Sequence, residues 1–166
     1  MPVILRDVPP GYHWGWYSRE EPRMHLQIVD RQHLHLGYKV WLEDRGKRVF
    51  QPEPGIPAKV LKALREACQR ERQRIEADWV SFMIVNGWLS FRLKGSVVEL
   101  TAYPGQRHSF RRSLDLKDWL ADPSLLRRIT SESLRLNDEF AWLELFPDRP
   151  ESRRVTIPLA PLLWSD

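Results

Sequence analysis

The sequence predicts an α+β fold with a mainly antiparallel sheet. Short segments with alternating apolar residues lie on both sides of one long helical pattern, and turn-forming residues separate them at short intervals. The order of these segments does not alternate strand and helix, as a parallel sheet would require. A length of 166 residues fits one domain, so we predict a single α+β domain over residues 1–166.

Hairpin strands are predicted before the helix. Residues 1–23 are rich in aromatic and turn-forming side chains and are predicted to form an irregular N-terminal segment. The next two segments, His25–Val29 and His33–Leu42, alternate apolar and polar residues, which is typical of half-buried strands. A third strand begins at Val49 and ends before Pro52, because proline cannot donate to a sheet ladder.

One long helix is predicted over about residues 57–85. Pro57 suits the first helical turn, where its missing N–H does no harm, and Asn86-Gly87 suits the end. Apolar residues recur at helical spacing on one side, namely Leu61, Leu64, Cys68, Ile75, Trp79 and Phe82. We expect this side to be buried. The pattern leaves open whether the helix is continuous or breaks near Asp78.

Glu71 lies within the apolar side of this helical pattern. A carboxylate at such a position is costly unless it is paired. We therefore expect Glu71 to form a structural ion pair, with Arg72 or with a sheet residue such as Lys39.

Short elements are predicted after the helix. Turn residues around Gly95 and Gly105 separate the strands of a meander, which short helices and a C-terminal hairpin follow. The predicted ranges are 88–93, 97–103 and 109–114 for the meander, 115–120 and 123–129 for the helices, and 140–146 and 153–159 for the hairpin. Pro158 and Pro161 predict an edge strand or an extended tail at the end.

Composition excludes several classes of protein. The net charge of +4 comes from 26 basic and 22 acidic residues that are spread evenly, so there is no basic arm. The one cysteine, Cys68, excludes an internal disulfide framework and a multi-cysteine zinc site, and we expect it to fill the core. No segment has the apolar run of a signal peptide or a membrane span, so we expect a cytoplasmic location.

Common catalytic motifs are not found in the sequence. It contains no phosphate loop and no GxGxxG, GxSxG, HExxH or CxxC pattern. The sequence therefore predicts no catalytic residue, no metal and no cofactor, and it favours a protein that is not an enzyme.

A cluster of histidines is a candidate polar site. His33 and His35 lie two residues apart and therefore share a strand face. If residues 30–32 form the hairpin loop, Gln27 pairs with His35 and His25 lies diagonally from it, within reach of an imidazole. Three imidazoles could hold a divalent metal or act in catalysis. A polar sheet face without metal is the favoured interpretation.

An aromatic-rich segment near the N-terminus is the predicted contact site. It contains Tyr12, Trp14, Trp16 and Tyr17, followed by Arg19 and Arg23. Large rings so close together would leave an apolar patch in water unless some of them contact a partner. Because tryptophan, tyrosine and arginine dominate the hot spots of interfaces, we predict that these residues contact another protein.

Nucleic-acid binding is the alternative function. Grooves for single strands combine stacking rings with cations, and the chain has both. Adjacent arginines occur at Arg111-Arg112, Arg127-Arg128 and Arg153-Arg154. Against this alternative, the tryptophans that lie in periodic segments are predicted to be core residues, namely Trp41, Trp79, Trp88, Trp119 and Trp142.

Several motifs within about residues 20–80 occur in the same order in a known family. They are His33-Leu34-His35-Leu36-Gly37-Tyr38-Lys39, a turn at Gly46, and a helix that Gly55-Ile56-Pro57 opens and Trp79 ends. This segment resembles a family of small bacterial proteins of uncharacterised function, whose genes often lie beside a second small gene in toxin–antitoxin-like pairs. The resemblance implies a small bacterial regulatory or interaction module, and it assigns no catalytic residue.

These observations lead to one favoured function and two alternatives. We expect a small cytoplasmic bacterial protein that binds another protein as an accessory or regulatory subunit. A nucleic-acid-binding factor is the second possibility, and a small metal- or histidine-dependent enzyme is the third. The sequence leaves the identity of the partner and the oligomeric state open.

Overall fold

The computed structural model describes residues 11–15, 25–30, 37–41, 50–51, 57–146 and 154–164. They form helices and antiparallel sheets, which confirms the predicted α+β class. The chain divides into two compact units, one ending at Ile75 and one beginning at Glu76. A single domain over residues 1–166 stays a prediction.

The first unit contains a four-stranded antiparallel sheet with the order β1-β2-β3-β4. The strands are β1 (Tyr12–Gly15), β2 (His25–Asp30), β3 (Gly37–Trp41) and β4 (Phe50–Gln51). β1 pairs with β2, so the prediction of an irregular segment throughout residues 1–23 is wrong for 12–15. Aromatic residues favour strands, and here this preference outweighs the turn-forming glycines at either end.

The register of β2 and β3 differs from the predicted one. Gln27 lies opposite Lys39 and His25 lies opposite Trp41, so the predicted pairing of Gln27 with His35 is wrong. The two pairings differ by an even number of residues, and such a shift leaves every side chain on its original face. The apolar alternation that predicted the strands therefore could not distinguish between them.

The predicted long helix is two helices, α1 (Ala58–Arg70) and α2 (Arg72–Val85). They are separated at Glu71, and α2 continues through Asp78, which answers the question of continuity that the sequence left open. Hydrogen bonds cross the interruption: the Glu71 N–H donates to the Ala67 carbonyl at 3.0 Å, and the Glu71 carbonyl accepts from the Ile75 N–H at 2.9 Å. One non-helical residue thus interrupts the helix without ending the pattern of bonds.

Side chains on these helices follow the predicted burial in part, because Leu61 and Phe82 are only half-buried. Cys68 and Ile75 are buried, as predicted, whereas the side chain of Leu64 lies outside the described part. Glu71 forms the expected ion pair, but with Arg70, whose Nε lies 3.6 Å from Glu71 Oε1. The predicted partners were Arg72 and Lys39.

The second unit contains the predicted meander. Its strands are β5 (Leu89–Lys94), β6 (Val97–Ala102) and β7 (Phe110–Asp115), in that order in the sheet. Gly95 has a φ of 59°, the left-handed conformation that the tight turn between β5 and β6 requires. Side chains on one face, including Val98, Leu100 and Leu114, are buried.

Three short 3₁₀ helices follow the meander, at Leu116–Asp118, Pro123–Arg128 and Ser131–Ser133. The first two confirm the predicted short helices. The second begins after Asp122, whose Oδ1 accepts from the backbone N–H of Ser124 at 2.9 Å. Hydrogen bonds from the Ser124 hydroxyl and N–H lower the pKa of Asp122.

A second three-stranded antiparallel sheet and a short helix complete the chain. The strands are β8 (Leu134–Asn137), β9 (Trp142–Leu145) and β10 (Val155–Pro158), with the order β10-β9-β8, and the helix is α3 (Leu159–Trp164). The hairpin of β9 and β10 is confirmed, whereas β8 was not predicted. Of the two alternatives predicted for the end, the edge strand is confirmed, because β10 lies at the edge of its sheet and ends at Pro158. The extended tail is wrong, because Pro161 lies in the first turn of α3, where a missing N–H is harmless.

An aromatic cluster forms part of the core of the second unit. Trp79 is fully buried, and its Nε1 donates to the Tyr103 hydroxyl at 2.9 Å. Neighbouring rings are tilted or edge-on, with centroids 5.2 Å apart for Trp79 and Phe82 and 6.1 Å apart for Tyr103 and Phe110. Tyr103 has a φ of 53°, a left-handed conformation that is unusual for a bulky residue.

Not every predicted core tryptophan is buried. Trp79 is buried, while Trp88 and Trp142 are half-buried. Trp119 is 37% exposed, so its prediction as a core residue is wrong. It follows a single 3₁₀ turn, which is too short to present a repeating apolar side to the core. The side chain of Trp41 lies outside the described residues.

Candidate interaction surface

The β8–β9–β10 sheet separates apolar and polar side chains on its two faces. Alternate residues of the strands are buried, namely Leu134, Leu143, Leu145 and Ile157. The intervening positions form two rows across the opposite face, Thr156–Glu144–Arg135 and Pro158–Trp142–Asn137. Since successive side chains point to opposite faces of a sheet, this second face carries the polar and charged groups.

Glu144 is the centre of a charged network on this face. It is only 1% exposed, and its Oε1 accepts hydrogen bonds from Asn137 Nδ2 at 2.7 Å and from Arg154 Nη1 at 3.0 Å. Arg135 Nε lies 3.9 Å from the other carboxylate oxygen, Oε2. Burial of a carboxylate is costly, and these contacts compensate the charge.

Asn137 connects this network to the turn between β8 and β9. While its amide nitrogen donates to Glu144, its Oδ1 accepts from the backbone N–H groups of Glu139 at 3.0 Å and Phe140 at 3.2 Å. The turn ends at Ala141, which has a φ of 56° and is buried. One buried side chain therefore fixes both the carboxylate and the backbone that carries Phe140.

A stacked pair of aromatic rings, one exposed and one half-buried, lies next to the charged network. Phe140 and Trp142 are stacked, with centroids 4.9 Å apart and an interplanar angle of 24°. Phe140 is 47% exposed, and the neighbouring Pro158 is also exposed. We call the surface formed by Arg135, Phe140, Trp142 and Arg154 the arginine–aromatic face.

The two arginines of the arginine–aromatic face share one carboxylate, because Glu144 is the only one within 4 Å of their guanidinium groups among the described residues. The side chains of Arg135 and Arg154 are 69% and 46% exposed. Each guanidinium has five N–H donors, more than the contacts to Glu144 use. The surface can therefore bind an anionic group beside a flat apolar group.

The polar face of the β5–β6–β7 sheet has a different arrangement. Lys94 Nζ lies 2.8 Å from Glu99 Oε2, and both side chains are partly exposed. The hydrogen bond from Lys94 holds the pKa of Glu99 below its usual value, and the charges of Arg111 and Arg92 act in the same direction. This face presents a solvated ion pair.

The predicted N-terminal contact residues are only partly described. Tyr12 and Trp14 lie in β1, opposite Asp30 and Ile28 of β2. The other members of the predicted set lie outside the described residues, namely Trp16, Tyr17, Arg19 and Arg23. A contact role for this segment stays a prediction.

Of the three histidines in the predicted polar cluster, the structure describes only His25, so the cluster stays a prediction. His25 is buried in β2, opposite Trp41, while His33 and His35 lie outside the described residues. Among the residues that are described, no group of three or more histidine, cysteine, aspartate or glutamate side chains could hold a metal ion.

The sequence patterns did not indicate the arginine–aromatic face. Of its residues, only Arg154 was a candidate contact residue, as one of a pair of adjacent arginines. Trp142 was predicted to be core, although the alternation of Trp142-Leu143-Glu144-Leu145 contains a useful signal. It places the tryptophan on the same strand face as Glu144, opposite the leucines. A tryptophan that shares a face with a charged residue is a candidate for a surface role.

Comparisons with known proteins add no relative. No protein-family model, no curated protein and no solved structure matches the chain. Within the described ranges, no helix is long and apolar enough to cross a membrane.

Proposed function

We propose that this protein binds another protein through the arginine–aromatic face and serves as an accessory or regulatory subunit. The observation that carries the proposal is the partly exposed Phe140–Trp142 stack beside two arginines that contact one buried carboxylate. Tryptophan and arginine are enriched among the residues that contribute most to binding between proteins.

The anchoring of this face favours binding. Arg154 is held by Glu144, and the backbone of Phe140 is held by Asn137. Side chains that are already ordered lose less conformational entropy when a partner binds, so more of the interaction energy appears as affinity. The resemblance to small bacterial proteins encoded in gene pairs is consistent with a partner in the bacterial cytoplasm, and this location is part of the proposal.

Capture of a partner from cells that express the protein tests the proposal. The wild type and a Phe140→Ala variant are used as bait in nuclease-treated extract, and captured proteins are identified and quantified. Trp119→Ala is the matched control, because Trp119 is also an exposed ring but lies outside the arginine–aromatic face. We expect one stoichiometric partner for the wild type and the control and its loss with Phe140→Ala, at an unchanged Tm. Equal capture by Phe140→Ala would contradict the proposal.

Nucleic-acid binding is the second candidate, and a different surface favours it. Arg92 and Arg111 are exposed, and neither makes a side-chain hydrogen bond or close ion pair within the described part of the chain. They lie on the same face of the β5–β6–β7 sheet as the hydroxyl groups of Ser90 and Thr101. Binding of an oligonucleotide that weakens steeply with salt and is lost in an Arg92→Gln, Arg111→Gln double variant would support this candidate.

A further inference from the structure

We infer that the partner presents an acidic residue two positions away from an apolar or aromatic residue in an extended segment, so that the carboxylate binds Arg135 and the apolar side chain covers the Phe140–Trp142 stack. This inference rests on the proposed function and specifies the chemistry of the partner.

Two arginines share Glu144 unequally. Arg154 Nη1 lies at hydrogen-bond distance from Glu144 Oε1, 3.0 Å, whereas Arg135 Nε is 3.9 Å from Oε2. This longer contact is the only polar contact of the Arg135 side chain within the described residues. Its guanidinium is therefore available to a second carboxylate, which can accept a bidentate pair of hydrogen bonds.

The spacing between Arg135 and the rings fits an extended peptide. Arg135 lies opposite Glu144, and Trp142 is two residues from Glu144 on the same face, so Arg135 and Trp142 are diagonal neighbours. Diagonal neighbours in an antiparallel sheet are about 7–8 Å apart. In an extended peptide, side chains two positions apart point to the same side and are separated by about 7 Å. One extended segment can therefore place a carboxylate on Arg135 and an apolar group on the rings.

Carboxylates beside the rings favour a peptide over a polyanion. The turn that carries Phe140 also carries Asp138 and Glu139, and both are exposed. A nucleic-acid strand bears a negative charge on every nucleotide. The carboxylates of Asp138 and Glu139, which directly precede Phe140 in the chain, would repel a strand that lies on the rings. A peptide that places a single carboxylate on Arg135 and an uncharged side chain on the rings meets less of this repulsion, so the charges of the face favour a protein segment.

Selection from a library of random short peptides tests the inference. The immobilised targets are the wild type, Arg135→Glu, Arg135→Gln and, as a control, Arg92→Gln, which removes an exposed arginine on the other sheet. We expect the wild type and the control to enrich peptides with Asp or Glu two positions from Phe, Trp or Leu. A synthetic peptide of the enriched sequence should bind Arg135→Gln about tenfold more weakly, the effect of about 1.4 kcal/mol.

The variants separate failure of the inference from failure of the proposed function. Arg135→Glu should shift the selection to Lys or Arg at the acidic position, and Arg135→Gln keeps the test valid if two adjacent carboxylates impair folding. One outcome would overturn the inference and leave the proposed function intact. In that outcome the wild type enriches apolar peptides without an acidic residue, and these peptides no longer bind Phe140→Ala. The inference would also be overturned if no peptide is selected. The same holds if the selected peptides bind Arg135→Gln and Phe140→Ala with the same affinity as the wild type. The capture experiment, and not the peptide selection, tests whether the proposed function is correct.

Discussion

Each of the two three-stranded sheets in the second unit carries a glutamate on its polar face, and the two glutamates differ in burial and in their partners. Glu99 in the β5–β6–β7 sheet has a side chain that is 28% exposed and pairs with Lys94 from the adjacent strand. Glu144 in the β8–β9–β10 sheet has a side chain that is 2% exposed and contacts two arginines. An exposed pair contributes little to stability, whereas a buried carboxylate requires its partners.

The two polar faces also differ in their aromatic content. On the β5–β6–β7 sheet, the polar rows contain hydroxyl, charged and aliphatic side chains without a ring. On the β8–β9–β10 sheet, Trp142 lies in a polar row and stacks with Phe140. Sheets with the same topology thus differ in what they present: a solvated surface on one, and an ordered surface with binding potential on the other.

The largest expected effect is that of removing the buried carboxylate. Glu144→Ala leaves the Asn137 amide without its acceptor and two arginines without their anion, so the free energy of unfolding should fall by about 2–3 kcal/mol. Denaturant titration measures the change. Glu99→Ala is the matched control in the other sheet and should leave Tm unchanged. Equal effects of the two substitutions would remove the distinction between the sheets.

A smaller effect is expected for Asn137→Ala. The substitution removes the acceptor of the Glu139 and Phe140 N–H groups and one donor to Glu144, and we expect a loss of about 1–2 kcal/mol. Asp138→Ala, at the exposed neighbouring position, is the control and should change stability little. If Asn137→Ala also weakens partner capture while the protein stays folded, the hydrogen bonds of Asn137 to the turn position Phe140 for binding. Unchanged capture would show that the Phe140 ring is positioned without these hydrogen bonds.

Ala141→Gly should have a still smaller effect, of the opposite sign. Glycine adopts a positive φ without the steric cost that alanine pays, but the substitution removes a buried methyl group. We expect stability to rise by about 0.5 kcal/mol, because the steric term slightly exceeds the loss of burial. A decrease of more than about 1 kcal/mol would mean that the methyl group is closely packed.

The smallest effect concerns the pH dependence of the exposed pair. The pKa of Glu99 is lowered in the folded state, so its contribution to stability is present above the unfolded pKa and is lost as pH falls through the folded pKa. The Tm difference between the wild type and Glu99→Gln should therefore be small at neutral pH and vanish in acid. A difference that persists in acid would indicate that the Gln side chain acts through something other than charge.

Local sequence signals predicted the meander and the C-terminal hairpin well. Glycines at 95 and 105 mark tight turns, and the alternation of the flanking strands fixes which side chains are buried. β8 was missed because Leu134–Asn137 is only four residues long and follows 3₁₀ turns without a strong punctuating residue. Its position in the sheet depends on pairing with β9, which is not encoded locally.

The candidate surface was less predictable than the fold. The chain brings Arg135, Glu144 and Arg154 together by pairing three strands, and no short motif joins these residues in the sequence. The pairing of Gln27 with His35 was wrong for a related reason, because alternation assigns faces but does not choose among registers that differ by an even number. Sites assembled across strands therefore need the register before their residues can be named.

The left-handed backbone of Tyr103 limits which residues this position can accept. Glycine would relieve the backbone conformation but would remove a buried ring and the acceptor for the Trp79 N–H. Phenylalanine would keep the ring but leave that buried donor without its hydroxyl partner. Asparagine tolerates the positive φ but cannot fill the volume. The backbone conformation at position 103 thus favours glycine or asparagine, whereas the buried site favours a tyrosine. The packing of the ring and the hydrogen bond to the hydroxyl offset the conformational cost of the positive φ.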